Sequence, residues 1–209
     1  MFHGALKNIM GTRFDILIID QIRLKSREIW GEIAFELRRL DQLFNRFDEV
    51  SETSKINREA ALAPVQVSPE MWFVLQNCRQ YYRRTLKLFD ITLDDFSKVV
   101  LDENDHSVSF SQEDITLDFG GYAKGYALVK IRDLIARSEV QHCFIDFGNS
   151  SSWGLGIILM ETHGRLVLKT HITGLSFWMR LPYRIWLYQS QVIRLPIPGI
   201  LYDLTRGSR

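Results

Sequence analysis

The sequence predicts an α+β domain in which helices are layered on a sheet. Three observations carry that prediction: a β-branched run from Arg13 to Asp20, apolar residues at helical spacing from Ser26 to Phe44, and a strand, glycine turn, helix and strand in succession between Ile115 and Phe147. The chain has 209 residues, 46% hydrophobic and 24% charged, which is the size and balance of one ordinary domain with at most an appendage.

Each element has its own signal. Arg-Phe-Asp-Ile-Leu-Ile-Ile-Asp at residues 13–20 suits a strand covered on at least one face. Ile29, Trp30, Ile33, Leu37, Leu40, Leu43 and Phe44 then form one face of an amphipathic core helix, with Arg38, Arg39 and Asp41 opposite. Asp48 to Asn57 reads as a polar loop. At Ser68-Pro69-Glu70 a capping serine, a proline at the first helical position and an early acid announce a helix running to about Arg84. A short apolar segment, Leu86 to Leu93, precedes the alternating Ser107 to Ser111, which predicts a half-exposed strand.

Composition excludes several classes. No apolar run approaches the ~18 residues a membrane helix needs, and no charged start with an apolar h-region and cleavage site is present, so the expected location is cytoplasmic with no transmembrane segment. Cys78 and Cys143 lack metal-ligand spacing and read as two reduced, half-buried thiols. The net charge of +1 is uneven: after Ser151 seven bases face two acids, a net of +5, leaving nineteen bases against twenty-three acids, a net of −4, before it. Trp153, Phe177, Trp178, Tyr183, Trp186 and Tyr188 are interleaved with those bases, a pattern open to a nucleic-acid or membrane-binding tail.

The segment richest in chemistry is Ile115-Thr116-Leu117-Asp118-Phe119-Gly120-Gly121-Tyr122-Ala123-Lys124-Gly125. It reads as a strand, a glycine turn, and a helix with Ala127, Leu128, Ile131, Leu134 and Ile135 on one face. Glycines at a helix start let backbone N–H groups approach an anion, and the positive end of the helix favours phosphate there. Lys124 adds a point charge one turn in, and Asp118 at the strand end suits a polar ligand edge or a metal. The bland alternative is a tight turn with a solvated lysine. A second strand, Cys143 to Phe147, ends in another glycine turn at Gly148-Asn149, and ligands collect at such strand ends in layered structures.

These residues resemble the ApbE family, the FAD:protein FMN transferases. The resemblance runs from about Phe2 to Ser151: Met10-Gly11-Thr12-Arg13-Phe14, Leu43 to Asp48 with Ser54-Lys55-Ile56-Asn57, Phe89-Asp90-Ile91-Thr92, Asp118 to Ala127, and Asp146-Phe147-Gly148-Asn149, all in the family's order. It implies an ApbE-like layered sheet-and-helix domain, incomplete at the C-terminus, and a Mg²⁺-dependent transfer of FMN from FAD to a threonine or serine hydroxyl of an acceptor flavoprotein subunit. By resemblance, Met10 and Phe47 contact the flavin, Leu88, Phe89 and Asp90 line the isoalloxazine and adenine pocket, Asp118 and Lys124 hold FAD, and the backbone oxygen of Gly121 meets Mg²⁺. Met10, Leu88 and Phe89 taken singly are also ordinary core residues. Leu93-Asp94-Asp95-Phe96 departs from the family's glycine–proline segment. No residue stands out as a general base, no nucleic-acid partner is implied, and the chain has no Ser-Gly-Ala-Thr flavinylation motif of its own.

After Ser151 the family's patterns stop in the frame as read, and the genetic code offers a test. If codons begin at the third base of each codon read, Trp153-Gly154 and Met160-Glu161 each force Gly, Phe177-Trp178 forces Leu and Trp178-Met179 forces Asp. Residues Ile158 to Arg165 then permit Pro-Tyr-Gly-Asp-Ser-Trp-Lys, which resembles family sequence. The expected division is therefore 1–151, the N-terminal part of an ApbE-like domain, and 152–209, an out-of-frame tail that leaves the activity impaired. The alternatives are an FAD-binding or FAD-hydrolysing relative, and a non-enzymatic remnant with a basic aromatic binding tail.

Overall fold

The computed structural model describes residues 1–19, 23–92 and 94–156, with Arg23 as backbone, and the backbone of four further strands, 157–162, 165–169, 177–180 and 184–187. The chain opens with an antiparallel hairpin, β1 (Phe2–Ile9) and β2 (Thr12–Ile18), followed by the long helix α1 (Arg23–Phe44). A short helix α2 (Glu52–Glu59), strand β3 (Val65–Gln66) and helix α3 (Pro69–Arg84) come next. A single 3₁₀ turn leads into β4 (Val99–Asp102) and β5 (Ser107–Phe110), then α4 (Ala123–Arg137), β6 (Cys143–Phe147) and β7 (Ser151–Leu155). Two hairpins follow as backbone: β8 (Ile157–Thr162) with β9 (Arg165–Lys169), and β10 (Phe177–Arg180) with β11 (Arg184–Leu187).

The main sheet has the order β1-β2-β6-β7, and each neighbouring pair is antiparallel. One face is apolar because Phe14, Ile16 and Ile18 alternate inward opposite Phe147, Ile145 and Cys143. Ile33, Leu37 and Leu40 of α1 and Ala127, Ile131 and Ile135 of α4 belong to the same buried core. Trp30 of α1 lies over β1, and the approach requires Gly4, since a Cβ there would sit 2.6 Å from Trp30 Cδ2. The second sheet, β3-β5-β4, is antiparallel and contributes Val65, Val99, Val108 and Phe110 to the same core. This is the α+β, sheet-and-helix layering that the sequence predicts.

Several sequence expectations change in detail. Helix α3 starts at Pro69 with Ser68 as cap, its hydroxyl accepting from the Met71 N–H at 3.2 Å. The polar stretch at 48–57 is not all loop, because Glu52 onward is helical: Ser51 caps α2, and Thr53, Ser54 and Ile56 are buried. Residues 115–119 keep a strand's alternation, with Ile115, Leu117 and Phe119 buried, but form no ladder. Their backbone bonds go to a side chain and a loop instead. Ser107 to Phe110 is mostly buried rather than half exposed, and Cys78 and Cys143 are fully buried free thiols. Burial pushes the Cys143 thiol up to about 12 and Cys78 further still.

The expected boundary at Ser151 falls at the first residue of β7, which pairs with β6 from Ser151 opposite Phe147 to Leu155 opposite Cys143. Of the aromatic residues noted in the tail, Trp153 is half-buried against the core, whereas Tyr183 and Tyr188 lie outside the described residues. Leu93, at the departure from the family pattern, also lies outside them. No helix among the described residues is long and apolar enough to cross a membrane.

Candidate functional site

The candidate site forms where the end of α1 meets the turn that starts α4. The loop after α1 is built by polar side chains. Asn45 Oδ1 accepts from the Phe47 N–H at 3.0 Å, Thr53 Oγ1 donates to the Leu43 carbonyl at 2.7 Å, and Ser54 Oγ donates to the Arg46 carbonyl at 2.9 Å. These bonds are why part of the buried face of α2, Thr53 and Ser54, is polar. They fix the backbone of Arg46 and Phe47 while leaving the Phe47 ring 82% exposed, with the Arg46 guanidinium 4.5 Å above its centroid.

Arg46 also reaches the glycine turn. Its Nε lies 3.1 Å from Asp118 Oδ2, an ion-pair contact out of hydrogen-bond alignment, so this buried Nε–H has no hydrogen-bond acceptor among the described residues. The other carboxylate oxygen, Asp118 Oδ1, accepts from the Gly120 N–H at 2.7 Å. The Asp118 N–H donates to the Ile91 carbonyl at 2.7 Å, and Asn57 brackets Leu117 by accepting from its N–H and donating to its carbonyl. Thus the segment expected as a strand is held by a side-chain amide, a loop carbonyl and an ion pair.

The loop preceding β4 closes another side. Phe89 is half-buried, its ring 5.8 Å from that of Tyr81 in an edge contact, and its Cε2 lies 3.9 Å from where a Cβ on Gly121 would stand. The Asp90 carboxylate is engaged within its own loop, accepting from Thr92 N–H at 2.8 Å, Thr92 Oγ1 at 2.7 Å and Phe96 N–H at 2.8 Å. Asp90 therefore shapes this loop through its carboxylate. Leu88, beside it, is 90% exposed.

Helix α4 begins with no side-chain cap and no acid in its first turn, while Tyr122 and Ala123 both donate to the Phe119 carbonyl at 2.8 Å. Lys124 is half-buried in that first turn and has no ion-pair partner among the described residues. The helix end, Lys124 and Arg46 together favour an anion, with Asp118 as the local counter-charge. Met10 sits apart in the β1–β2 turn at φ 47°, where its N–H donates to Asp41 Oδ1 at 2.8 Å. Asp41 is consequently a tether between that turn and α1 rather than part of a solvated face. Phe47 joins Asp118 through Arg46, Asp118 holds Gly120 beside Gly121, and Phe89 stands over Gly121, whereas among the described residues Met10 is tied to α1 through Asp41 and Leu88 makes no side-chain link to this group.

Two residues of this geometry carry no role in the sequence reading: Arg46 and Asn57. Both lie inside segments that carry the family resemblance, Leu43 to Asp48 and Ser54 to Asn57, but neither residue type names its partner. A separate groove, lined by Gly31, Glu32, Phe35, Glu36 and Leu134, runs between α1 and α4 and shares no residue with the site.

The sequence profile of the ApbE family matches residues 10–100 and 93–157, most of the chain. The chain belongs to the ApbE family. Among curated relatives, it is similar to an FAD:protein FMN transferase of Chlamydia muridarum, 23% identical over 152 residues that cover 59% of this chain and 48% of that one. The crystal structure of the ApbE protein of Thermotoga maritima matches with a TM-score of 0.64 at 21% identity, covering 74% of this chain and 59% of the other. The flavin transferase ApbE of Vibrio cholerae matches at 0.66 and 16% identity, covering 81% and 67%. These structural likenesses establish an ApbE fold. The ApbE chain described here spans about half the length of the curated relative it matches.

Proposed function

We propose that this ApbE-family chain carries the dinucleotide-binding portion of an FAD:protein FMN transferase. The observation that supports this best is the joint placement of Arg46, Phe47, Phe89 and Asp118 around the Gly120-Gly121 turn at the uncapped start of α4. Exposed or half-buried rings offer faces for a flat heterocycle, and the helix end with Lys124 offers a cationic site for a pyrophosphate. In the reaction, a threonine or serine hydroxyl oxygen of the acceptor protein bonds to the phosphorus of the FMN half. The bond from that phosphorus to the AMP oxygen breaks, AMP leaves with the electron pair, and the hydroxyl proton passes to solvent.

Phe47 and Met10 would meet the flavin, Leu88, Phe89 and Asp90 would line the pocket, and Asp118 and Lys124 would hold the dinucleotide. Asp90 would act through the loop it folds, since both its oxygens are occupied. Mg²⁺ prefers an octahedron of hard oxygens, one or two of them carboxylate. The described residues do not fit that need: Gly121 is an exposed residue, but Asp118 is engaged at both oxygens, and no group of three His, Cys, Asp or Glu side chains forms a metal cluster among them. No step is therefore routed through the metal.

Titration of the purified chain with FAD, followed by flavin fluorescence with and without Mg²⁺, tests the reading. Saturable binding is expected, and AMP release in the presence of a hydroxyl-bearing acceptor marks transfer. Absence of saturable binding overturns it; FMN and AMP release without an acceptor would assign hydrolysis instead.

We further propose that the reading frame changes after β7, so that Trp153-Gly154 stays in frame and Met160-Glu161, Phe177-Trp178 and Trp178-Met179 are the pairs whose shifted reading is forced. Regular pairing of β7 through Leu155 and a family match ending at residue 157 support a junction there rather than at Ser151. Sequencing the gene across codons 150 to 165 tests this. It fails if no one- or two-base correction restores an ApbE-like continuation.

A further inference from the structure

Arg46 touches the two sides of the candidate site at once. Its Nε approaches Asp118 Oδ2 at 3.1 Å, and its guanidinium carbon stands 4.5 Å from the centroid of Phe47, the next residue in the chain. Asp118 in turn fixes the Gly120 N–H at 2.7 Å, so a single side chain connects the exposed ring to the glycine turn. Without Arg46 the Asp118 carboxylate would lose the cation paired with it and hold the Gly120 N–H less firmly, and the Phe47 ring would lose the group that covers one face.

An arginine is suited to this double contact. Its guanidinium is planar, so one edge can face a carboxylate while the flat face lies on a ring; a lysine supplies only a point charge. The main chain carrying it is held in advance, because Ser54 Oγ donates to the Arg46 carbonyl and Asn45 Oδ1 accepts from the Phe47 N–H. The Nε–H is buried without an acceptor although a carboxylate oxygen lies within 3.1 Å. A small rotation would align it, and a donor in that position costs free energy until it is aligned.

We propose that Arg46 is a positioning residue of the flavin-dinucleotide site, setting Asp118 and Phe47 as one unit. This rests on the flavin-dinucleotide reading above. Arg46 acts through its two neighbours, and its expected signature is coupling to Asp118 rather than an independent contribution.

The test uses the full chain with Arg46→Gln, Arg46→Lys, Asp118→Asn and the Arg46→Gln/Asp118→Asn pair. Two quantities are measured: FAD affinity by fluorescence titration, and hydrogen exchange of the Gly120 amide without FAD. Arg46→Gln is expected to weaken FAD binding roughly tenfold, the scale of one charge-assisted contact, and to speed Gly120 exchange. The double variant should bind no more weakly than the weaker single, and Arg46→Lys should recover slow Gly120 exchange by restoring the charge. Additive losses in the double variant, or Gly120 exchange unaltered in Arg46→Gln, overturn the proposal. If the unmodified chain fails to bind FAD, the functional reading falls, while Gly120 exchange still decides whether Arg46 positions Asp118.

Discussion

The side-chain amide of Asn57 brackets Leu117, its Oδ1 accepting from the Leu117 N–H at 2.8 Å and its Nδ2 donating to the Leu117 carbonyl at 3.1 Å. A side chain at the end of α2 thereby does what a neighbouring strand would do, and holds the extended chain that leads into the glycine turn. Replacing Asn57 with Ala leaves both backbone groups of a buried residue without partners. Roughly 2–6 kcal/mol of stability should be lost, from a cost of about 1–3 kcal/mol for each of the two unsatisfied groups. Urea denaturation checks this, with a lower midpoint and an unchanged slope expected.

Phe47 and Leu88 separate function from stability. Both are more than four-fifths exposed, so Phe47→Ala and Leu88→Ala should each shift stability by no more than about 0.5 kcal/mol. If the rings and apolar tips near the glycine turn receive a flavin, the same variants weaken FAD binding. Thermal melts and FAD titration of each variant, read side by side, give the comparison; unchanged affinity in both would remove these two residues from the site.

Glu70 ties three helices together. It accepts from Tyr126 Oη at 2.8 Å, pairs with Lys130 Nζ at 3.2 Å, and is bound by Arg39 of α1. Burial raises its carboxyl pKa, but the hydrogen bonds from Arg39, Tyr126 and Lys130 outweigh that and bring it to about 2, below the ordinary 4.5. A carboxylate depressed on folding stabilises fully above its unfolded value, and the contribution is lost as pH falls from about 4.5 toward 2. Glu70→Gln should therefore lower stability at pH 7 and flatten the loss across that acid range, measurable as denaturation midpoint against pH.

Gly148 closes the turn after β6 at φ 65°, beside the start of β2. A Cβ there would overlap Thr12 Oγ1 and lie 2.7 Å from Thr12 Cγ2. Gly148→Ala should cost about 2 kcal/mol or more, combining left-handed strain of about 1–2 kcal/mol with overpacking of similar size. Adding Thr12→Ala should recover part of the loss, leaving the backbone strain; a thermal melt of the two variants distinguishes the contributions.

Local signals in the sequence are faithful where one segment contains its own cause. Ser68, Pro69 and Glu70 fix the start of α3 because cap, proline and acid act within one turn. The apolar spacing of Ile33, Leu37 and Leu40 gives α1, and the alternation of Ile115, Leu117 and Phe119 gives an extended segment with one buried face. Helix α2 escaped hydrophobic periodicity because part of its buried face is Thr53 and Ser54, which are buried to bond the loop after α1.

Family membership, the α+β class, the main helices and the glycine turn are thus determined by the sequence itself, since periodicity, capping and motif order are properties of neighbouring residues. Only the tertiary structure decides that Asp90 is occupied within its own loop, that Asp41 tethers Met10, and that Arg46 joins Phe47 to Asp118. Arg46 and Asp118 meet because α1 and α4 share one buried core, which brings the end of one helix to the beginning of the other. That choice of partner is made by packing between distant segments.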